Sequence, residues 1–411
     1  KKNYISRVTF ELRSFKDPDG GEISYTSNWK AVDRNFKSGD YFGSELRKSN
    51  FFKKKLPQEI LTQKKTLEKA KNIYYFIQNH YTNNDNNFSY RKINTKKSFN
   101  NKVGTLADIN ISLFNALKAA NFDVNIALLS TRNNGVPVKL YPIITEFNYV
   151  IVFLKIDNQE YFLDASNKIL TFGLTPFSTL NGDIRVMDFK KGSYWKTTNP
   201  KIESNEKINL KFSITNDGEI KGLLRVINSG YNAYTLKSKL NSSSKESYLE
   251  KYESENNLEI NDYKISGLEK ESNKITQIFN FNIETINDGL QGKIYLNPFF
   301  HEKTQINPFK LNERLYPVNF GYKRNYIYRA NINLPKNYSI GKLPDSKAFS
   351  LPNNGGKFIF NVKESDSKIS IYYKFQLTKV EYTSDEYFVL KEFFNQIIKA
   401  QSTLITLERK Q

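Results

Sequence analysis

The 411-residue sequence contains no cysteine and only two histidines, His80 and His301. Without a thiol the chain cannot form a disulfide, bind a metal through thiolates or use a cysteine as a nucleophile. Two histidines leave little for a zinc site or for a histidine base. His80 is expected to be a helix-capping or surface residue rather than a ligand, and His301 a loop residue. We therefore expect neither a metal nor a cofactor.

Long hydrophobic runs are also missing from the sequence. No segment approaches about eighteen uninterrupted apolar residues, so we expect no transmembrane segment. The chain starts at Lys1 without a methionine or a signal-peptide pattern. Residues 8–12 already alternate apolar and polar side chains, as a half-buried strand does. We expect the sequence to be part of a longer exported protein, located in the periplasm or at the cell surface, whose export signal lay upstream.

Acidic residues are scarce relative to basic ones, and the net charge is +20. Residues 51–102 hold twelve Lys or Arg and three Asp or Glu, a net of +9. A solvated basic surface is one interpretation, and attraction to an anionic partner such as an acidic glycan is the other. Nucleic acid is the weaker partner because no recognised binding motif is present. The candidate basic surface consists of Lys53, Lys54, Lys55, Arg91, Lys92, Lys96 and Lys97.

The first half of the sequence predicts an α+β domain at residues 21–200. Helical periodicity spans residues 56–81 and 104–121, and strand patterns span 124–130, 147–156 and 159–164. Asp157 and Asn158 separate the last two strands and predict a hairpin. Helices followed by an antiparallel sheet indicate the α+β class.

The second half consists of short alternating runs separated by turn signals such as Asn216-Asp217-Gly218. This pattern predicts an antiparallel β-sandwich at residues 201–381. We expect one helix within residues 237–258, and a C-terminal amphipathic helix at 382–411. The runs are 207–214, 219–227, 275–284, 326–334, 357–363 and 368–377.

Three motifs, taken in their order along the chain, are relevant to a candidate catalytic site. Gly104-Thr105-Leu106-Ala107-Asp108 opens the second long helix, Phe147 to Val152 forms a strand, and Tyr161-Phe162-Leu163-Asp164 ends the next one. This order resembles the papain-like core of transglutaminase-like proteins. There, a cysteine at a helix start is the nucleophile, a histidine on a neighbouring strand takes its proton, and an aspartate on the next strand orients the histidine.

The resemblance places Leu106 in the cysteine position, Tyr149 in the histidine position and Asp164 in the aspartate position. A shift of one residue would place Thr105 or Asn148 there instead, and neither restores a thiolate–imidazole pair. Leu106 also fits a simple core residue. Tyr149 fits a packed strand aromatic or a hydroxyl bonded to Asp164, and Asp164 fits either a turn-capping residue or the remaining member of a lost triad.

The motifs resemble, over nearly the whole chain, a family of exported bacterial proteins common in Bacteroidetes. That family sets a transglutaminase-like core between two β-sandwich domains of unknown function (families 3857 and 3858). The resemblance implies that residues 1–20 are the last strand of a truncated N-terminal sandwich. It also implies a papain-like core, followed by an antiparallel β-sandwich and a C-terminal helix.

The expected function is that of a pseudoenzyme, a non-catalytic binding or scaffold module at the cell envelope. Its expected partner is another envelope protein or an anionic glycan surface. The alternative is an enzyme of different chemistry, a hydrolase acting on envelope peptide or glycan without a cysteine nucleophile. A carboxylate pair would leave no short sequence signature, so this alternative stays open.

Overall fold

The computed structural model divides into two compact units, Lys1–Lys201 (unit 1) and Ile202–Gln411 (unit 2). Helices and strands occur in both units, and the predicted α+β class is confirmed. The strand predicted at residues 8–12 lies, except for Leu12, outside the described residues. The structure describes residues 2–4, 12, 14–24, 28–38, 42–85, 93–198, 200, 202–216, 218–284, 292–301 and 303–410.

Unit 1 contains helices that pack on an antiparallel sheet. The helices are α1 Trp29–Lys37, α2 Ser49–Lys55, α3 Gln58–Leu61, α4 Leu67–His80, α5 Thr95–Asn101 and α6 Leu106–Ala119. The strands are β1 Ser14–Lys16, β2 Glu22–Ser24, β3 Thr82–Asp85, β4 Val103–Thr105, β5 Asp123–Leu129, β6 Tyr149–Ile156, β7 Gln159–Leu163, β8 Asp183–Met187 and β9 Tyr194–Thr197.

The main sheet of unit 1 has the order β7-β6-β5-β8-β9, with antiparallel neighbours throughout. Strands β6 and β7 meet at Asp157 and Asn158, whose positive φ angles of 49° and 58° suit the predicted tight hairpin. Two smaller pairs, β1 with β2 and β3 with β4, complete the strands described in this unit.

Helix α6 is the centre of unit 1, because every residue from Leu106 to Leu117 is buried. The helical periodicity of the sequence predicted that only one apolar face of this helix would be buried. In the structure the helix is surrounded by α2, α4 and α5 together with β5 and β6. Its polar side chains are consequently bonded inside the core. Asn115 donates to the carbonyl of Glu45 at 2.7 Å, and Ser112 donates to the carbonyl of Asp108 at 2.7 Å. A satisfied polar group can be buried at little cost.

Unit 2 is built around a large sheet of order β12-β13-β11-β10-β16-β20-β19-β18. The pair β10–β16 is parallel, and the other neighbours are antiparallel. Its strands are β10 Ser204–Ile214, β11 Ile220–Ser229, β12 Glu259–Ser266, β13 Lys274–Ile283, β16 Arg324–Asn333, β18 Lys347–Leu351, β19 Gly356–Ser365 and β20 Lys368–Leu377.

A second layer shares the core of this sheet. It combines the three-stranded sheet β14-β22-β17 with helix α9, and both contribute to one hydrophobic cluster with the large sheet. The remaining elements of unit 2 are α7 Tyr231–Ser242, α8 Lys245–Asn256, α9 Tyr387–Gln401, β14 Lys293–Leu296, β15 Val318–Asn319, β17 Tyr338–Lys342, β21 Glu381–Tyr382 and β22 Ile405–Arg409.

Several predicted bounds differ from the observed ones. The terminal helix ends at Gln401, and residues 405–409 form a strand, because Ile405 and Leu407 alternate with polar residues and are buried. The helix expected within 237–258 is two helices, since Ser244 caps a new start by accepting from the amide of Ser247. The pattern at 56–81 likewise divides into α3 and α4. Strand β12 was not predicted because it is mostly exposed and a register shift after Ile260 interrupts the alternation of its apolar residues.

No helix within the described ranges is long and apolar enough to cross a membrane.

Candidate functional site

The start of α6 carries the residues that the resemblance singled out. Thr105 caps the helix: its hydroxyl accepts from the amide of Asp108 at 3.2 Å. The Asp108 carboxylate accepts in return from the Thr105 amide at 3.1 Å and hydroxyl at 2.9 Å. This reciprocal capping fixes where the helix begins. A Cβ on Gly104 would lie 3.0 Å from the Cβ of Asp108, so glycine suits the close approach. Leu106, the first helical residue, is completely buried.

Asp164 follows β7 and is also completely buried. Its Oδ2 accepts from the Tyr149 hydroxyl at 2.7 Å. Its Oδ1 accepts from Asn110 Nδ2 at 3.0 Å, from the Ser166 amide at 2.9 Å and from the Ser166 hydroxyl at 2.6 Å. A buried carboxylate requires several donors to replace its lost hydration. The network therefore supplies Asp164 with four donor atoms from within the protein.

Asn110 connects α6 to two strands of the sheet. Its Nδ2 donates to the Val150 carbonyl at 3.0 Å as well as to Asp164, and its Oδ1 accepts from the Ala165 amide at 2.9 Å. Asn110 lies four residues after Leu106, and so on the same face of the helix. The N-terminal turns of α6 are thereby held against the ends of β6 and β7.

Helix α4 closes the network from another side. The Tyr74 hydroxyl donates toward the backbone carbonyls of Asp164 at 2.9 Å and Leu170 at 3.1 Å. Burial, and then the charge of Asp164, raises the pKa of the Tyr74 phenol well above its ordinary value. Gln78 donates to the Tyr74 oxygen at 3.2 Å and to the Leu170 carbonyl at 2.8 Å. Tyr74 therefore stays a neutral donor at physiological pH.

The structure thus brings Tyr149 and Asp164 into direct contact and buries Leu106 at the start of α6. The inherited roles of these three positions stay a prediction. Asn148, the alternative if the register shifts by one residue, bonds to Thr131. Its Oδ1 accepts from the Thr131 amide at 2.8 Å, and its Nδ2 donates to the Thr131 hydroxyl at 2.9 Å. Thr105 is occupied by its capping partner Asp108.

Sequence reasoning did not find Asn110, Ser166 or Tyr74. A polar residue four positions after Leu106 was a usable signal, because it had to enter the same buried face. Ser166 had the two-residue spacing from an aspartate that is typical of a local turn. Tyr74 gave no such signal, since its contact with Asp164 joins residues 90 positions apart.

The contacts around Asp164 connect α6 to β6, β7 and α4. Leu106 has no polar atom, and the Tyr149 hydroxyl donates to Asp164. In the described part of the chain, no group of three or more His, Asp or Glu side chains could hold a metal ion.

The candidate basic surface is partly assembled in the structure. Lys53, Lys54 and Lys55 end α2 and are exposed. The ammonium groups of Lys55 and Lys96 each lie 5.6 Å from the centre of the Phe51 ring. Two segments of the predicted surface therefore meet at Phe51. Lys97 is exposed nearby in α5, whereas Arg91 and Lys92 lie outside the described residues.

The two histidines have different environments. His80 ends α4, where its Nε2 contacts the Phe99 carbonyl at 2.7 Å and its ring stacks on Phe99 at 3.8 Å. The carbonyl belongs to α5 and not to the end of α4, so the predicted capping of its own helix by His80 stays a prediction. His301 lies in a loop, as expected, but it is buried and contacts Glu206 and Tyr252. Neither partner is close to it in the sequence, so its burial was not predictable from local pattern.

Comparison with known proteins places part of the chain in a family. Residues 292–407 match the family described as "Domain of Unknown Function with solved-structure structure (DUF3858)". The prediction of this domain in the C-terminal region is confirmed. No curated protein matches the chain.

A solved structure extends the similarity to the rest of the fold. The chain is similar to a crystal structure of a "putative protease" from Parabacteroides distasonis, with a TM-score of 0.51 and 12% sequence identity. The match covers 98% of this chain and 64% of the other, so the present chain spans less than two thirds of that protein. At this identity the similarity concerns the fold alone. The C-terminal region therefore carries a DUF3858 domain, and the chain as a whole shares its fold with that Bacteroidetes protein.

Proposed function

We propose that unit 1 is a transglutaminase-like core that has lost catalysis, and that the chain is a binding or scaffold module of the bacterial cell envelope. The observation that carries the proposal is the Tyr149–Asp164 hydrogen bond beside the capped start of α6. The residue at the start of this helix is Leu106, at the position where the resembling family has its cysteine. The order of elements supports the register, and the envelope location rests on the resemblance of the motifs.

The geometry supports loss of catalysis rather than a change of nucleophile. Thr105 precedes Leu106, but its hydroxyl donates to Asp108 and accepts from the amide of the same residue. A nucleophile needs an adjacent base that is itself oriented by a third group. Asp108 instead accepts from the amides of Asn94 and Thr105, as a capping residue does.

A second candidate function is hydrolysis of envelope peptide or glycan by other residues. It is favoured by the buried contact of His301 with Glu206 and Tyr252 in unit 2, because such a chain of groups can move a proton. Incubation of the chain with casein and with fluorogenic glycosides would measure this activity directly.

The main proposal is tested by incorporation of a fluorescent amine into a glutamine-donor protein, measured with the purified chain. We expect no signal above that of the protein-free reaction, because the chain has no thiol to form an acyl intermediate. A commercial transglutaminase in the same buffer would show that the assay works.

The matched variants are Thr105→Ala and Thr105→Ser. Alanine removes the hydroxyl, while serine keeps both the hydroxyl and the cap. Amine incorporation by the natural chain that disappears in Thr105→Ala and survives in Thr105→Ser would contradict the proposal and identify Thr105 as the nucleophile.

A further inference from the structure

The large sheet of unit 2 has one buried face and one exposed face. On β10, for example, Leu210 belongs to the hydrophobic cluster, whereas the next residue, Lys211, points to the other side and is exposed. The strands paired with β10 continue this alternation. We call the side opposite the cluster the outer face, formed by the odd-numbered residues of β10, β11, β16 and β19 and the even-numbered residues of β20. It lies wholly within unit 2.

Charge is segregated on the outer face. Residues 202–411 contain 30 Lys or Arg and 24 Asp or Glu, so both signs are common in unit 2. The outer face has nine Lys or Arg and, within these fully described strands, no Asp or Glu. The two acidic residues of the five strands, Glu206 and Glu364, have even numbers and lie on the opposite side. A solvated surface normally mixes both signs. The outer face therefore presents a positive field that favours an anionic partner.

The centre of the outer face holds three cations without a protein counter-ion. Asn209 of β10 pairs with Arg225 on one side and with Arg329 on the other, so the two arginines lie two strands apart, at about 10 Å. Lys211 is two residues further along β10 and therefore on the same face. All three cationic side chains are exposed, and in the described part of the chain none of them forms an ion pair. Their charge is therefore available to an external anion.

Beside Arg329 the outer face has an open depression of about 400 Å³. The Ser370 hydroxyl donates to Asn331 Oδ1 at 3.1 Å, and the guanidinium of Arg329 lies 5.4 Å from the centre of the Tyr372 ring. Lys363 pairs with Ser370 across β19 and β20. The depression thus has a cation on β16 and another on β19, with uncharged hydrogen-bonding groups between them. On the outer face its lining is Arg329, Asn331, Asn361, Lys363, Ser370 and Tyr372.

The groups between the cations distinguish among polyanions. A single-stranded nucleic acid stacks its bases on aromatic rings, and in these described strands the outer face has one aromatic residue, Tyr372, whose ring contacts Arg329. A membrane-binding surface inserts large apolar side chains, and the exposed one on these strands is Leu223. Eleven outer-face residues are Asn, Gln or Ser, which donate and accept hydrogen bonds as sugar hydroxyls do. An acidic polysaccharide, in which hydroxyl groups separate the carboxylates, fits this arrangement best.

We propose that the outer face binds an acidic polysaccharide, whose carboxylates pair with Lys211, Arg225 and Arg329 and whose hydroxyl groups bond the carboxamides between these cations. The proposal rests on the binding role put forward above and gives that role a ligand class. It uses no residue of the site around Asp164 in unit 1.

The test is the fluorescence anisotropy of a labelled oligogalacturonate titrated with the purified chain. Salt at about 0.15 M screens distant charges, so that contacts at the binding face dominate. We expect binding, and a Kd about tenfold higher in the triple variant Lys211→Gln/Arg225→Gln/Arg329→Gln, because three exposed ion pairs with the carboxylates are lost.

The matched control is the triple variant Lys310→Gln/Lys336→Gln/Lys342→Gln. It removes the same charge from exposed lysines of unit 2 that lie outside the outer face, and it should change Kd less than about twofold. Circular dichroism and thermal unfolding would establish that both triple variants are folded, since exposed substitutions of this kind change stability little.

Three further probes test the other anionic partners. Oligothymidylate and oligoglutamate with the same number of charges represent nucleic acid and acidic peptide, and vesicles containing phosphatidylglycerol represent a membrane. We expect each to bind more weakly than oligogalacturonate, and equal or tighter binding of any of them would overturn the choice of a polysaccharide.

Absence of oligogalacturonate binding by the natural chain would overturn the proposal. Equal weakening by the two triple variants would do so as well, because binding would then follow the total charge and not the outer face. None of these outcomes alters the amine-incorporation result, so failure here and failure of the proposed loss of catalysis are distinguishable.

Discussion

The two units each hold a carboxylate that contacts a chain of polar groups ending in tyrosine, but only one of them faces open space. Asp164 of unit 1 is completely buried and accepts from four donor atoms of the protein. Glu206 of unit 2 keeps 14% of its side chain exposed and lines a cavity. The carboxylate of unit 1 is therefore enclosed by protein donors, whereas that of unit 2 reaches a cavity.

Removal of Asp164 should give the largest effect and is the most direct way to break this comparison. Asp164→Ala would remove the carboxylate that accepts from Tyr149, Asn110 and Ser166 inside the core. Each buried polar group that loses its partner costs about 1–3 kcal/mol, so the loss of these contacts together should cost about 3–5 kcal/mol of unfolding free energy. Urea denaturation, followed by the fluorescence of Trp29 and Trp195 in unit 1, would measure it.

The control for this variant is Asp157→Asn, in the exposed turn between β6 and β7. Asparagine tolerates the positive φ of 49° found there, so stability should change by less than about 0.5 kcal/mol. Glu206→Gln should also cost far less than Asp164→Ala. Equal losses for Asp164→Ala and Asp157→Asn would mean that the buried network does not stabilise unit 1.

Alkaline pH should weaken both units through their buried tyrosines. Burial raises the pKa of Tyr74 and Tyr81 in unit 1, and of Tyr328 and Tyr373 in unit 2, above the ordinary value. Because the folded pKa is the higher one, the contribution to stability is complete below about pH 10 and is lost as pH rises through the folded values. Unfolding midpoints measured from pH 8 to 11 should fall only at the alkaline end.

Absorbance at 295 nm during the same titration supplies the control. The buried tyrosines Tyr74 and Tyr81 should stay protonated at about pH 10, where a free tyrosine ionises, because burial raises their pKa. Complete ionisation of all tyrosines near pH 10 with the fold intact would contradict the buried environments described here.

A smaller effect is expected from Tyr149→Phe, which sharpens the comparison by removing one donor. The variant keeps the ring in the strand but leaves Asp164 with three donor atoms instead of four. A hydrogen bond to a charged group contributes about 1.5–3 kcal/mol, so unfolding free energy should fall by about that amount. Tyr161→Phe, on the neighbouring strand and half-buried, is the matched control and should lie near zero. If Tyr149→Phe lowers the unfolding free energy no more than Tyr161→Phe does, the hydrogen bond between Tyr149 and Asp164 does not stabilise unit 1.

Features were predictable from the sequence when the residues that form them lie close together along the chain. The start of α6 was predictable because Gly104, Thr105 and Asp108 lie within one turn and form a cap. The contact of Tyr149 with Asp164 was one of two interpretations of Tyr149. It could be anticipated because a hairpin of fixed register brings residues of adjacent strands together.

Contacts between distant residues had no comparable signal. His301 bonds Glu206 and Tyr252, which lie 95 and 49 positions away. Helix α6 was likewise predicted to be amphipathic. Its polar residues are typical of a solvent-exposed face, and their partners on other elements cannot be identified from the local sequence. Residues 405–409 were absorbed into the terminal helix, since Leu404 extended the apolar spacing although it is half exposed.

The smallest effect is expected from the variant that introduces the catalytic side chains of the resembling family at two positions. Leu106→Cys with Tyr149→His would supply a thiol at the start of α6 and an imidazole beside Asp164, yet we expect no turnover of a glutamine donor. Catalysis requires the nucleophile, base and orienting carboxylate to be held within about 0.5 Å, together with an oxyanion hole. Here Leu106 and Asp164 are completely buried, so a substrate carbonyl has no path to the new thiol.

The rate of iodoacetamide alkylation against pH would show whether the introduced thiol is reactive, and Leu106→Cys alone is the matched control. A thiolate next to an imidazolium has a lowered pKa, whereas burial in apolar surroundings raises it. We expect slow alkylation in both variants, because the first turn of α6 is enclosed by the core. A lowered thiol pKa with measurable amine incorporation in the double variant would mean that the catalytic surroundings are still assembled. The comparison between a closed site in unit 1 and an open one in unit 2 would then be wrong.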